Sequence, residues 1–157
     1  MNTNKISLET KKVKPVVDQL NDLLANYHIH YQKLRGCHWN VQGVHFFTLH
    51  AKFEELYTNA LPSIDELAER ILTLGKSPYS QFADYLKVSE LQEVNTIGMN
   101  DMDMVKELLK DLEALISMQR ILLEITSEAS DEGTNDLVNT QMQFNEKQHW
   151  MLQAFVK

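Results

Sequence analysis

Two histidines and three carboxylates, His38, His50, Glu54, Asp65 and Glu69, recur over a short length of this chain. Imidazole mixed with carboxylate is a donor set suited to divalent transition metals, and iron is the natural candidate among the redox-active ones. Four of the five residues lie between positions 46 and 74, which read as one long helix. At roughly 100° of rotation per residue, positions 50, 54, 65 and 69 fall within roughly a 100° arc and share one face. Asp65 nevertheless stands 15 residues beyond His50, about 22 Å along the axis, so the two ends of one straight helix cannot hold the same metal. An antiparallel second copy would set Asp65 and Glu69 of one chain opposite His50 and Glu54 of the other. The spacing therefore points to a metal site shared between subunits across a two-fold axis.

In such a site a neutral imidazole from His38 or His50 sets the position of one iron. Glu54 and Glu69 each lend a carboxylate, and Asp65 can bridge two irons. Negative ligands stabilise the ferric state by charge, so the site should favour oxidation of Fe(II). Affinity alone would not select iron, because zinc binds N/O sites more tightly than Fe(II) does.

The elements that must position these residues are helical. Apolar residues from Val13 to Leu34 recur at three- and four-residue steps, predicting a first helix over about 13–35 that Gly36 and the Asn40–Gly43 loop end, with Pro15 in its first turn. The second helix runs from about Phe46 to Leu74 and closes at Gly75. Pro62 falls inside it and predicts a kinked but continuous helix. Ser89 and Gln92 fit a capping box for a short helix in the connection between Pro78 and Gly98. A third long helix covers about 102–129 and Ser130–Gly133 breaks it; Thr134 or Asn135 caps the fourth. Four long helices with one long crossover make an all-α, four-helix bundle.

With 157 residues and 43% hydrophobic content, the chain is read as a single domain over 1–157, with 1–12 a flexible N-terminal segment. Its single cysteine, Cys37, excludes an intrachain disulfide framework and is read as a buried or interfacial thiol. There is no signal-like apolar segment and no apolar run of about 18 residues, so a soluble cytoplasmic protein is expected. The formal charge of −7 opposes nucleic acid, although Lys5, Lys11, Lys12 and Lys14 face only Glu9 at the start.

The remaining histidines read as structural or exposed: His28 and His30 point to different faces, and His45 is a solvated loop residue. Glu146-Lys147-Gln148-His149 is the single Glu-x-x-His in the chain. A di-iron site inside one bundle needs two such pairs, so that arrangement is not assembled, and His149 is a surface or packing residue.

The block His38-Trp39-Asn40-Val41-Gln42-Gly43, followed by Leu49-His50-x-x-Phe53-Glu54 and by Ile64-Asp65-Glu66-Leu67-Ala68-Glu69-Arg70, resembles the mini-ferritins, also called Dps or DNA-binding proteins from starved cells. The likeness extends over essentially the whole chain. It implies a ferritin-like bundle with a short extra helix in the crossover between helices 2 and 3. It also implies a ferroxidase that oxidises Fe(II) with hydrogen peroxide, and less well with oxygen, at inter-subunit sites holding two irons. Ferric mineral would be stored in a hollow homo-dodecamer, protecting the cell from oxidative damage. By the same resemblance Trp39 stands near the iron and intercepts one-electron oxidants, while Asp131 and Asp136 line a three-fold pore. The competing reading is a nucleoid-associated, DNA-compacting protein with a minor iron role. The sequence offers it few lysines and no long basic tail.

Overall fold

A computed structural model describes residues 2–157. Five helices follow one another: α1 (Thr10–Asn40), α2 (Phe46–Thr73), α3 (Phe82–Val88), α4 (Asp101–Ala129) and α5 (Glu132–Phe155). Among the described residues there is no strand, only an isolated bridge between Thr3 and Glu9. The four long helices form the bundle, and α3 lies in the long crossover from α2 to α4, packed on α1. The all-α class and the short extra helix agree with the sequence reading.

The core is built from the apolar faces that the periodicity marks. Leu20, Leu23, Leu24 and Leu34 of α1 meet Leu49, Phe53, Leu67 and Ile71 of α2, Leu108 and Leu112 of α4, and Val138 and Leu152 of α5. Removing each such side chain from water is worth about 1.5–3 kcal/mol.

Several boundaries differ from expectation, each for a local reason. α1 begins at Thr10, so residues 10–12 of the supposed flexible segment form its first turn. Residues ahead of it fold back: the Thr10 N–H donates to the Asn2 carbonyl at 2.9 Å, and Asn4 Oδ1 accepts from the N–H groups of Ile6 and Leu8 at 3.1 and 3.0 Å. Pro15 consequently sits in the second turn, where it leaves the carbonyl of the exposed Lys11 unpaired.

Gly36 does not end α1, which continues to Asn40. A Cβ on Gly36 would lie 2.9 Å from Thr96 Oγ1. The glycine serves close approach, letting the buried Thr96 reach Asn40 Nδ2 at 2.8 Å.

Ser89 ends α3 rather than opening a helix. The fully buried Asn26 presents Oδ1 to Ser89 Oγ and to the N–H groups of Glu90 and Leu91 at 2.9–3.0 Å, which turns these donors out of a helical path. The break between α4 and α5 is only Ser130–Asp131. Ser130 takes φ 55°, and the Ser130 and Asp131 N–H groups close the end of α4 on the Ser127 and Thr126 carbonyls. Asp131, not Thr134 or Asn135, caps α5. α2 does end at Gly75 (φ 81°), where Gly75 and Lys76 donate to the Leu72 and Ile71 carbonyls. It runs unbroken through Pro62.

Between α1 and α4 the bundle buries a charged cluster. Lys33 Nζ donates to Asp111 Oδ1 at 2.6 Å, and His30 Nδ1 donates to Asp111 Oδ2 at 3.0 Å. All three side chains are almost fully enclosed. Breaking one member of a buried pair strands the other charge. Lys33→Met should therefore destabilise by about 3–5 kcal/mol in urea denaturation, and the Lys33→Met, Asp111→Leu double variant by clearly less.

Candidate metal centre

The end of α1 and the start of α2 bring His38 beside His50. The last carbonyls of a helix lack intrahelical partners, and the Val41 N–H takes that of Cys37. The His38 carbonyl is left to accept His50 Nδ1–H at 2.8 Å, and the His50 carbonyl accepts His38 Nδ1–H at the same distance. A carbonyl only accepts, so a proton stands on Nδ1 in both rings, and in the neutral ring Nε2 is the nitrogen left to bind a metal. The rings stack at 3.8 Å between centroids. Phe46 lies on the other face of His50 at 5.0 Å, and the Tyr57 ring meets His38 edge-on at 5.3 Å. The ligand nitrogens are thus fixed in tautomer and direction before any metal arrives.

Glu54, one turn along α2, completes the group. One ligand atom from each of His38, His50 and Glu54 lies within 4.8 Å of the others. Two imidazole nitrogens and a carboxylate suit a divalent transition metal but leave its coordination incomplete. Asp65 and Glu69 are not in this group; both are exposed further along α2.

Trp39 follows His38 on α1. It is 56% exposed, with the Arg35 guanidinium 4.7 Å from its ring centre. Cys37 is buried and offers no ligand to the group; burial pushes its thiol up to about 12.

Asp131, expected at a pore, is bonded within its own subunit. It is buried, pairs with Arg70 Nη2 at 2.6 Å, and accepts from the Thr134 N–H and hydroxyl at 3.1 and 2.6 Å. Its carboxylate is thus enclosed and saturated within one subunit. Asp136 is exposed.

The other histidines are occupied elsewhere. His28 stacks on Tyr85 at 4.0 Å, and desolvation lowers its pKa. His45 is not merely solvated: it bonds Asp101 at 2.8 Å, and this bond holds the Asp101 carboxyl below its usual range. His149 meets Glu113 at 3.0 Å, and Glu146 pairs with Arg120. The inward positions of α5 carry Asn145 and Gln148, uncharged amides, in place of a carboxylate and an imidazole.

Comparison with known proteins places the chain in a family. The Ferritin-like domain family model matches residues 17–157. The chain belongs to the ferritin-like family. Within it, the Dps group is the one it joins. DNA protection during starvation protein 2 of Bacillus anthracis is 41% identical over 143 residues, covering 91% of this chain and 97% of that protein. The crystal structure of Dps from Vibrio cholerae O1, described as a member of a superfamily of ferritin-like diiron-carboxylate proteins, superposes with a TM-score of 0.96. It is 43% identical, covering 100% of this chain and 98% of that one. Dps from Bacillus brevis gives a TM-score of 0.91 at 39% identity, covering 96% and 100%.

For this Dps chain the sequence missed Phe46 and Tyr57 as neighbours of the imidazoles. Their signal was present: Tyr57 follows His50 by seven residues and Glu54 by three, on one helical face. The buried thiol yields a direct check. Native Cys37 should react with iodoacetamide at pH 8 at least about tenfold more slowly than in the urea-unfolded chain. Equal rates would contradict its burial.

Proposed function

We propose that this chain is a ferroxidase and iron store. It oxidises Fe(II), with hydrogen peroxide preferred to oxygen, at sites shared by two-fold-related subunits, and keeps the ferric product inside a hollow homo-dodecamer. The observation that carries the reading is the reciprocal bonding of His38 and His50. It fixes both rings through Nδ1 and leaves both Nε2 atoms unbonded, with His38, His50 and Glu54 grouped closely enough to share a metal, a half-built centre at the surface of one chain. Asp65 and Glu69, exposed on the same helix, supply the missing carboxylates in antiparallel pairing.

Iron is the substrate here. His38, His50 and Glu54 of one subunit receive Fe(II), and Asp65 and Glu69 of the partner subunit close its coordination, with Asp65 spanning two ions. Each Fe(II) gives up one electron. Peroxide accepts two electrons and two protons and leaves as water, so one peroxide serves a pair of ions. Both reagents of hydroxyl-radical chemistry are thereby consumed. Trp39, exposed one residue from His38, would quench stray one-electron oxidants. Asp136 is the remaining candidate for a cation entry path. A cytoplasmic location follows from this role, and no described helix is long and apolar enough to cross a membrane.

DNA compaction is the weaker reading. Lys11, Lys12 and Lys14 belong to α1 rather than to an extended arm, and Lys12 and Lys14 are partnered by Glu9 and Asp18. Contacts to phosphate from so acidic a body would be eroded by salt.

Anaerobic Fe(II) loading followed by peroxide and size-exclusion chromatography tests the reading. Ferric iron should co-elute with a particle of dodecamer size, whereas free precipitation beside a small protein species would refute storage. His50→Ala and Asp65→Ala should each slow oxidation by at least about tenfold at unchanged helicity. Equimolar Zn(II) should inhibit, since it competes for the same donors.

A further inference from the structure

Pro62 stands within α2 between the two halves of the ligand set. Lacking an N–H, it leaves the Thr58 carbonyl without its helical partner, on an exposed stretch of the helix. α2 is therefore one helix with a weakened joint: His50 and Glu54 precede it, and Asp65 and Glu69 follow it. A site shared across a two-fold axis needs these halves at a fixed separation, because each must meet the opposite half of the partner helix.

The segment beyond Pro62 is tied to the start of α5 by Arg70. Its Nε donates to Thr134 Oγ1 at 2.8 Å and its Nη2 to Asp131 Oδ1 at 2.6 Å. The guanidinium also lies against Gly133, where a Cβ would come within 3.0–3.1 Å of three of its atoms. Gln141 adds a looser tie, its Nε2 reaching Glu66 Oε2 at 3.2 Å. The anchor is itself rigid, because the buried Asp131 carboxylate also caps α5 through the Thr134 N–H.

We propose that Arg70 is a positioning residue for the acidic half of the iron site. It touches no ligand; it sets the rotation and axial position of the turn that carries Asp65 and Glu69. The planar fork makes this specific. Lysine would keep the charge but lose the paired geometry and the seat on Gly133. The inference rests on the shared-site reading above.

The test is Co(II) binding to the assembled protein, followed by visible absorption, in wild type, Arg70→Lys, Pro62→Ala, the double variant and His50→Ala. Arg70→Lys should weaken Co(II) binding about tenfold, as loss of an orienting partner does at metal sites, with helicity and particle size retained. Restoring the backbone bond in the Pro62→Ala, Arg70→Lys variant should recover most of that loss. Gly133→Ala, which crowds the guanidinium without altering charge, should weaken binding in the same direction even if Arg70→Lys folds poorly. Unchanged affinity in Arg70→Lys and Gly133→Ala overturns the proposal. So does a loss of equal size with and without Pro62. Full Co(II) affinity in His50→Ala would instead show that the shared site itself is misassigned.

Discussion

Where α1 stops decides what the rest of this molecule can do. Had α1 run one turn further, the His38 carbonyl would have been taken by a backbone N–H. Because it ends at Asn40, that carbonyl is free to bind His50, and His38 binds back. The stop is enforced from outside the helix. Gly43, at φ 101°, turns the chain, and His45 at the head of α2 is held by Asp101 at the head of α4. Three elements thus fix the angle at which α2 leaves α1, and the two imidazoles stack as a consequence. Their Nδ1 protons serve structure and leave both Nε2 atoms for chemistry, so folding and ligand preparation are one event.

The class of fold was legible because it is written in spacing, and so was the grouping of His38, His50 and Glu54. Periodicity exposes a buried face regardless of what covers it, and the steps from His38 to His50 and from His50 to Asp65 fix which residues share a face. What stayed hidden depended on partners distant in sequence. Gly36 looked like a helix stop until Thr96 arrived against it. Ser89 looked like a cap until Asn26 collected the neighbouring amides. Asp131 looked like one more acid near a helix start, a common and favourable place for one; Arg70, 61 residues away, makes it an anchor. Polar side chains are the hard cases, because their role is set by one partner and not by a pattern.

The buried polar groups follow a consistent division. Between α1 and α4, one carboxylate is balanced by Lys33 and bonded by His30. Where α1, α4 and α5 meet, Tyr27 accepts from Gln119 and Asn145, and burial pushes its phenol up to about 12. These networks lock the register of the bundle with neutral or compensated groups, since an uncompensated charge there would be costly. A metal centre in the bundle interior would need several inward carboxylates. The interior instead holds amides, and the carboxylates of the ligand face lie outside, on α2.

An outward-facing half-site has a consequence for control. If the site is shared as proposed, each chain alone offers an incomplete shell, so neither half should hold Fe(II) firmly before the two-fold contact forms. Under the proposed function, chemistry would be confined to assembled particles, where ferric product would be retained and not released as free precipitate. The same logic explains why α2 must be stiff in position although Pro62 interrupts its backbone bonds. In the proposed shared site, a displacement of the far half by even an ångström would separate Asp65 and Glu69 from the partner subunit's imidazoles. Packing of Ile64, Leu67 and Ile71 fixes the depth of that segment in the core, but apolar contact is non-directional. Rotation about the helix axis requires directional bonds, and the fork of Arg70 on Asp131 and Thr134 supplies them.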